Sequence, residues 1–215
     1  EDKAINSRLT VYDGNKIDKL DIKNDSEATK IFNDVKNSTF TVKNITKKEA
    51  RRNPYPAFTT STMQIESSRK LGLSASQTMR TAQRLYEGTD IKGETTGLIT
   101  YMRTDSQSYS KEFLEKGQEY ITGRWAANYV HHNLSLLEQH DTNAHEAIRP
   151  TNITMENVTI DHRKSSLYRL IWETTCASMM SEAKFSVIQL NISAPMKLTY
   201  KHVEDNPIFL GWMIL

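Results

Sequence analysis

Residues 97–106 read Gly-Leu-Ile-Thr-Tyr-Met-Arg-Thr-Asp-Ser, and this stretch places a phenol and a guanidinium two positions apart, at Tyr101 and Arg103. The β-prone residues 98–102 predict a strand, on which residues two apart face the same side. A tyrosine hydroxyl with its usual pKa of about 10 is a weak nucleophile, and a guanidinium supplies positive charge and two donors for phosphate oxygens. The pair therefore suits phosphoryl chemistry. On spacing alone, the more ordinary interpretation is a structural tyrosine beside an ion pair of Arg103 with Asp105.

A second polar stretch, residues 144–151, reads Ala-His-Glu-Ala-Ile-Arg-Pro-Thr. It brings His145, Glu146 and Arg149 into a short segment with neither helical nor strand periodicity. The histidines of the chain show no i, i+4 helical pair with a companion carboxylate, and the sequence has no serine-hydrolase, phosphate-loop or dinucleotide fingerprint. We therefore predict no metal site held by this chain alone.

Upstream, the prolines of residues 53–56 (Asn-Pro-Tyr-Pro) interrupt regular structure and predict a domain boundary. Beyond it, Ser61 with Gln64 matches the capping-box pattern of a helix start. The helix that follows is predicted to end near Gly72, because glycine accepts the left-handed conformation of a helix C-terminus.

A second helix is predicted to begin at a capping box of Ser74 with Gln77 and to end at Gly88. Two helices joined by a short turn form the helix-turn-helix arrangement, although most such pairs are plain helical hairpins. Three basic residues of this pair are candidate contacts for DNA phosphates: Arg69, Arg80 and Arg84.

The flanking segments predict a mixture of strands and helices. The expected elements are a hairpin at Asp13-Gly14, helices at 27–36, 111–130 and about 167–177, a polar loop at 131–143, strands at 185–192 and 197–203, and a strand-like end at 208–215. An extended segment near residues 39–42 leads into the densest basic run, residues 43–52. That run is either a solvated strand edge or a surface that follows phosphates.

Composition excludes several classes of protein. The 215 residues carry 37% hydrophobic and 25% charged side chains, and no apolar run approaches the ~18 residues of a membrane span. One cysteine, Cys176, cannot form an intrachain disulfide, which argues for a reducing compartment, by default the cytoplasm. A formal charge of +2 permits DNA binding without predicting it. The chain starts at Glu1 without an initiator methionine, and we expect it to be a piece of a longer protein.

The two polar stretches together resemble a known family. Residues 97–106 are similar to the active-site segment of type IA DNA topoisomerases, and residues 144–151 are similar to a second hallmark of that family. Further similar segments lie in the expected order: 56–64, 69–72, 82–88, 167–172 and 211–212. Met102 between the tyrosine and the arginine resembles the bacterial type I members more than topoisomerase III, which usually has proline there.

The resemblance implies a reaction and a role for each site residue. In this family a tyrosine attacks a phosphodiester of single-stranded DNA, forms a 5'-phosphotyrosyl link and frees a 3'-hydroxyl that later reverses the step without ATP. By motif position Tyr101 is the nucleophile, Arg103 the phosphate clamp and His145 a DNA contact near the cleavage site. Asp105 is expected to orient His145. Glu146 and Arg149 are expected to shape the loop, and Arg149 is also a candidate DNA contact.

The resemblance also implies the cofactor, the partners and the fold. Type IA enzymes hold Mg²⁺ on acidic residues of a TOPRIM domain, a motif this sequence lacks, so no cofactor is expected in this chain. The expected partner is DNA, preferentially single-stranded, and the expected state is a monomer that does not contact membranes. The implied fold is α+β, with a mainly helical, helix-turn-helix-like domain at 55–185 inserted into a truncated β-rich hinge domain made of 1–54 and 186–215.

Two other functions remain compatible with the sequence. A non-catalytic helix-turn-helix DNA-binding module explains the helix pair and its basic residues, but it gives no reason for Tyr101, Arg103 and the His145 loop. An inert scaffold is the second alternative, and it holds for the chain by itself if that chain is catalytically silent.

Overall fold

A computed structural model describes residues 4–91, 94–140 and 144–215, without the side chains of residues 89–91 and 94. The chain divides into two units, one made of Glu1–Arg51 and Lys184–Phe209 and the other of Arg52–Ala183 and Leu210–Leu215. The architecture is a mixture of helices and strands, as the sequence predicted.

The first unit is built on a five-stranded sheet with the order β2-β1-β7-β6-β3. The strands are β1 (Arg8–Tyr12), β2 (Asn15–Lys16), β3 (Thr41–Arg52), β6 (Ala183–Ala194) and β7 (Leu198–Phe209), and one helix, α1 (Asp25–Val35), lies between β2 and β3 in sequence. Strands β6 and β7 form a long antiparallel hairpin in which Ala194 faces Leu198. The basic run lies on the mostly exposed strand β3, at one edge of the sheet.

Local signals in the first unit are confirmed by the structure. Asp13 and Gly14 both have positive φ, 48° and 80°, as the two-residue turn between β1 and β2 requires. The side chain of Asn24 accepts a hydrogen bond from the Glu27 amide and so caps α1.

Among its described residues the second unit carries four α-helices: α2 (Thr60–Leu71), α3 (Ala75–Glu87), α4 (Lys111–Arg124) and α5 (His162–Ser178). Between α3 and α4 lies a small antiparallel pair, β4 (Thr89–Ile91) and β5 (Glu94–Thr96). Short 3-10 helices follow at Ala127–Tyr129, Leu134–Leu137 and Gly211–Ile214. In the loop expected at 131–143, residues 141–143 lie outside the described residues. No helix in the described ranges is long and apolar enough to cross a bilayer.

Of the two capping boxes predicted for the helix pair, the one that begins α3 is confirmed and the one that begins α2 is wrong. Ser74 and Gln77 form the expected capping box of α3, and Gly72 ends α2 in the left-handed conformation with φ of 66°. The box of α2, however, is made by Thr59 and Thr62 rather than by Ser61 and Gln64, so the helix begins earlier than predicted. Thr59 is the cap because the Thr59 hydroxyl accepts from the Thr62 amide and the Thr62 hydroxyl accepts from the Thr59 amide.

A single core holds the second unit together. Its largest fully buried side chains include Trp172, Tyr109, Tyr168, Met63, Leu85 and Ile148. Two polar side chains of this core are paired: the Trp172 indole donates to the Ile153 carbonyl at 2.8 Å, and the Tyr109 hydroxyl lies 2.9 Å from that of Ser178. Burial raises the pKa of Tyr109 and of the Cys176 thiol to about 12, so both stay neutral.

Two predicted elements, the helix at 111–130 and the strand-like end at 208–215, are shorter than expected. Helix α4 ends at Arg124 and not near residue 130, because Ala126 has a φ of 153° that no helix contains. The strand-like end at 208–215 is a strand only to Phe209, after which the chain turns into a 3-10 helix at Gly211. A Cβ at Gly211 would lie 2.5 Å from two backbone carbonyl oxygens, so this turn requires glycine.

The strand expected at 98–102 is reduced to one bridge, between Ile99 and Pro150. The two amides that would extend the pairing bond elsewhere: the Leu98 amide donates to the Leu85 carbonyl of α3, and the Arg149 amide donates to the Thr100 hydroxyl. Beyond Ile99 the chain bends, so the predicted strand alternation of Tyr101 and Arg103 does not apply.

Candidate active site

The segment that carries Tyr101 is held by hydrogen bonds to the loop at 147–151. The Thr100 hydroxyl donates to the Ala147 carbonyl at 2.8 Å and accepts from the Arg149 amide at 3.0 Å, while the Thr100 amide donates to the Arg149 carbonyl at 2.9 Å. The Thr151 amide donates to the Leu98 carbonyl at 2.9 Å. The two polar stretches identified in the sequence are thereby joined through their backbones.

A second set of hydrogen bonds fixes the other side of Tyr101. The Thr60 hydroxyl, at the start of α2, donates to the Met102 carbonyl at 2.8 Å and accepts from the Thr104 amide at 2.9 Å. The Thr60 amide donates to the Thr104 carbonyl, also at 2.9 Å. Met102 itself is fully buried in the core. Tyr101 therefore sits between two anchored residues, which preorganises its position.

The ring of Tyr101 is half-buried between two other rings. It meets Tyr86, from the last turn of α3, edge to face at a centroid distance of 5.4 Å. On another side it meets His145 at 4.5 Å with the planes tilted by 40°. The structure thus brings together Tyr101 and His145, two predicted catalytic residues that are far apart in sequence.

Arg103 and Asp105 are exposed next to this ring cluster. Within the described residues neither forms a hydrogen bond or an ion pair, so the ordinary interpretation of the motif, an ion pair of Arg103 with Asp105, is wrong for this structure. Likewise no hydrogen bond joins Asp105 to His145 in that part of the chain, and the orienting role of Asp105 stays a prediction. The Arg103 guanidinium is open to a ligand.

Glu146 and Arg149 form a bidentate ion pair inside the loop. Arg149 donates from Nε and Nη2 to the two carboxylate oxygens at 2.8 Å each, and from Nη1 to the Pro150 carbonyl at 3.0 Å. Its guanidinium also lies 4.0 Å from the centroid of the Phe113 ring, and only 12% of the side chain is exposed. This geometry agrees with the expected loop-shaping role, whereas the DNA contact of Arg149 stays a prediction.

Opposing effects act on the Glu146 carboxyl. Burial raises its pKa, but hydrogen bonds from Arg149 and from the Ser110 amide, the latter 2.8 Å long, outweigh burial and leave the pKa below its usual value of 4.5. The carboxylate therefore stays ionised and links the loop to the start of α4.

The three arginines predicted on the helix pair are all exposed. Arg69 makes a surface ion pair with Glu66 at 3.1 Å, while Arg80 and Arg84 lie one turn apart on α3. They are not part of the ring cluster around Tyr101.

Sequence reasoning missed the residues that position Tyr101. Thr60 and Thr100 reach partners 42 to 49 positions away, and Tyr86 supplies the second ring against Tyr101. No periodicity indicates such contacts. Each of these residues lies in or beside a segment that resembled the family, which was the only available signal.

The ionisable residues in the described ranges do not form a metal site. Nowhere in those ranges do three or more His, Cys, Asp or Glu side chains come close enough to hold an ion. The donors therefore do not fit a Mg²⁺ site.

Comparisons with known proteins give a consistent result. Residues 3–215 match a protein family described as DNA topoisomerase. The chain is 38% identical over 200 residues to a protein named DNA topoisomerase 1 from Rickettsia bellii and 39% identical over 201 residues to one of that name from Rickettsia typhi. In both comparisons 89% of this chain covers 25% of the relative, so the chain spans about a quarter of the length of these relatives. The structure is also similar to full-length topoisomerase I from Thermotoga maritima, with a TM-score of 0.79 and 29% identity over 98% of this chain and 33% of the other.

Proposed function

Because this chain belongs to the family of bacterial type IA DNA topoisomerases, we propose that it supplies the strand-breaking tyrosine of a DNA topoisomerase. The observation that carries the proposal is the contact of Tyr101 with His145 at 4.5 Å, on a segment anchored on both sides by Thr100 and Thr60. A nucleophile benefits from being held in place before the reaction, because orientation is then not lost as entropy during the step.

The proposed step is a transesterification without ATP. The Tyr101 oxygen attacks a backbone phosphorus of single-stranded DNA, a P–O bond to the tyrosine forms, and the P–O bond to the 3' oxygen breaks. The tyrosine proton leaves to a base, and the 3' oxygen takes up a proton to become a hydroxyl. After passage of the other strand, the 3'-hydroxyl attacks the phosphotyrosine and restores both the DNA and Tyr101. The net change is topological, the relaxation of negative supercoils.

Arg103 is proposed to bind the phosphate under attack. Its guanidinium is exposed beside Tyr101 and has no partner among the described residues. It is therefore available to donate two hydrogen bonds to phosphate oxygens and to stabilise the charge that builds up on them. A donor aimed at developing charge contributes about 3 to 4 kcal/mol in other enzymes.

His145 is proposed to contact DNA at the cleavage site and to pass a proton. An imidazole can both donate and accept a hydrogen bond, and the His145 ring is exposed to solvent while it packs against Tyr101. Asp105 would then orient His145 once DNA is bound. If Asp105→Asn in the intact enzyme leaves the cleavage rate unchanged, that role for Asp105 is excluded.

The cofactor and the wider context belong to the same proposal. Mg²⁺ is expected to act in the longer protein, and we assign it no step here because the described residues do not fit it. When bound there, a divalent cation would help neutralise phosphate charge. Single-stranded DNA as the substrate, a monomeric state and a cytoplasmic location remain predictions of the proposal.

The test is Tyr101→Phe in the full-length protein. We expect relaxation of supercoiled plasmid and the covalent protein–DNA adduct to be lost, while DNA binding and the unfolding midpoint stay unchanged. Tyr55→Phe is the matched control, because this exposed tyrosine packs on Trp212 away from the site. A Tyr101→Phe protein that still relaxes DNA would exclude Tyr101 as the nucleophile.

One observation favours a second candidate, a non-catalytic helix-turn-helix DNA-binding module. Helices α2 and α3 are joined by only three residues, 72–74, and carry three exposed arginines. The same variant separates the two candidates, since a pure binding module has no relaxation activity for Tyr101→Phe to remove.

A further inference from the structure

A basic cleft of about 480 Å³ lies between α3 and the start of α5. Arg80 and Arg84 line it from α3, and Asp161, Arg163 and Lys164 line it from the other side. We call it the α3–α5 cleft. The two helices pack against each other within the second unit.

The charges of the α3–α5 cleft are unbalanced. Asp161 is the one carboxylate among the residues that line the cleft, and it is already used, because it accepts from the Lys164 amide at 3.2 Å and pairs with the Lys164 ammonium group at 3.0 Å. Within the described ranges Arg80 and Arg163 make neither a hydrogen bond nor an ion pair. The Asp161 carboxylate already occupies the N-terminus of α5, so an anionic ligand would be attracted by the basic side chains and not by the helix terminus.

Arg80 and Arg163 lie on the two walls of the cleft, and each carries a positive charge that an anionic ligand would neutralise. A guanidinium presents a planar fork of donors that matches phosphate oxygens, and arginines on both walls would bind a phosphate from two directions. Phosphates carrying one negative charge each would neutralise the cleft.

The α3–α5 cleft is separate from the Tyr101 site, although one helix serves both. At 100° per residue, Arg80 and Arg84 lie roughly 120° to 160° around α3 from Tyr86, which contacts Tyr101. A phosphate in the cleft is therefore not the one that Tyr101 would attack.

From this geometry we propose that the α3–α5 cleft binds backbone phosphates of DNA outside the linkage cleaved at Tyr101. The inference rests on the proposed function and extends it, because it adds Arg163 and Lys164 to the DNA-binding residues and assigns them a position. The ligand chemistry is a phosphodiester, which either a single strand or a flanking duplex can supply.

The test measures the affinity of the whole chain for DNA and does not depend on DNA cleavage. Fluorescence anisotropy of a labelled single-stranded oligonucleotide and of the corresponding duplex is recorded over a range of salt concentrations, for wild type and Arg80→Gln/Arg163→Gln. We expect about tenfold weaker binding at low salt. The slope of log K against log salt should become shallower by about 1.4 for the single strand or about 1.8 for the duplex, whichever occupies the cleft.

Two further variants control for structural effects. Lys30→Gln/Lys111→Gln removes the same charge from exposed positions outside the cleft and is expected to leave the salt slope nearly unchanged. Arg80→Lys/Arg163→Lys keeps the positive charges but loses the planar donors of the two guanidinium groups. We expect this variant to bind DNA more weakly than wild type, with the same slope of log K against log salt.

The outcomes distinguish this inference from the proposed function. A wild-type chain that binds neither DNA overturns the cleft assignment, whereas the proposed function is overturned by a Tyr101→Phe protein that still relaxes DNA. A wild-type chain that binds DNA, with an Arg80→Gln/Arg163→Gln variant of the same affinity and slope, overturns the cleft assignment alone, as does an equal loss in the Lys30→Gln/Lys111→Gln control.

Discussion

Thr100 and Glu146 connect the segments that carry Tyr101 and His145 to their surroundings, each through one side chain. The Thr100 hydroxyl uses both its donor and its acceptor on the loop at 147–149, one residue before Tyr101. Glu146 follows His145 directly and is fixed by Arg149 and by the Ser110 amide. The residues flanking Tyr101 and His145 therefore hold the two rings together by hydrogen bonds that the rings themselves do not make.

At this scale we predict a pH-dependent effect of Glu146→Gln. The folded-state pKa of Glu146 is lowered, so its carboxylate contributes stability that is fully present above the usual value of 4.5 and is lost as pH falls through the lower folded value. Breaking this largely buried pair should cost about 1 to 3 kcal/mol at pH about 7. In urea unfolding, the difference between wild type and variant should shrink at pH about 4 and below.

Glu112→Gln is the control for Glu146→Gln. Glu112 pairs with Lys116 at 2.7 Å but is exposed, so solvent screens the pair and no comparable loss is expected. A loss for Glu146→Gln that is the same at all pH values would show that charge is not the cause.

At the scale of elements, α3 and the Tyr101 segment approach each other closely at Gly97. A Cβ at this position would lie 2.9 Å from the Tyr86 carbonyl oxygen, a backbone atom that cannot move away without shifting the end of α3. The Leu98 amide bonds to the Leu85 carbonyl at 2.8 Å in the same place. Gly97 is thus needed for close contact between the two elements, whereas its φ is not positive.

We predict that Gly97→Ala destabilises the chain by about 1 to 3 kcal/mol, because the added methyl group overpacks this contact. Gly123→Ala in α4 is the matched control. Its Cβ meets nothing within 4 Å, and alanine is the better helix former, so it should stabilise by up to about 1 kcal/mol. Chemical denaturation of both variants gives their free energies of unfolding. Equal effects of Gly97→Ala and Gly123→Ala on this free energy would contradict the prediction.

At the scale of the whole molecule, the described residues contain a candidate nucleophile but no group of metal ligands. The chain spans about a quarter of the length of the Rickettsia relatives. The Mg²⁺ ligands that the proposed reaction is expected to use are not found in the part of the protein that the structure describes.

We predict that the chain by itself binds single-stranded DNA weakly and does not cleave it. Incubation with a labelled oligonucleotide and Mg²⁺, followed by denaturing electrophoresis, should show no covalent adduct. Adding the remainder of the full-length protein in trans should restore one. An adduct formed by the isolated chain would contradict the prediction.

Elements defined by adjacent residues could be predicted from the sequence. The turn at Asp13-Gly14, the Ser74 cap of α3 and the end of α2 at Gly72 each depend on interactions within a few residues. The strand at 98–102 could not be excluded in this way, because its loss depends on the Leu85 carbonyl, which takes the Leu98 amide, and on the Arg149 amide, which donates to the Thr100 hydroxyl; both residues are distant in sequence. Local propensity favoured a strand that tertiary contacts did not form.

The sequence by itself determined the family and the identities of the candidate site residues, because motifs and caps are properties of neighbouring residues. Only the tertiary structure decided that Tyr101 meets His145, that Arg149 is bound within its own loop, and that Arg163 faces Arg80 across a cleft. The physical reason is that such contacts form between elements that the burial of a common core brings together. The hydrophobic effect is non-directional, so the sequence of one element does not indicate which distant element it will contact.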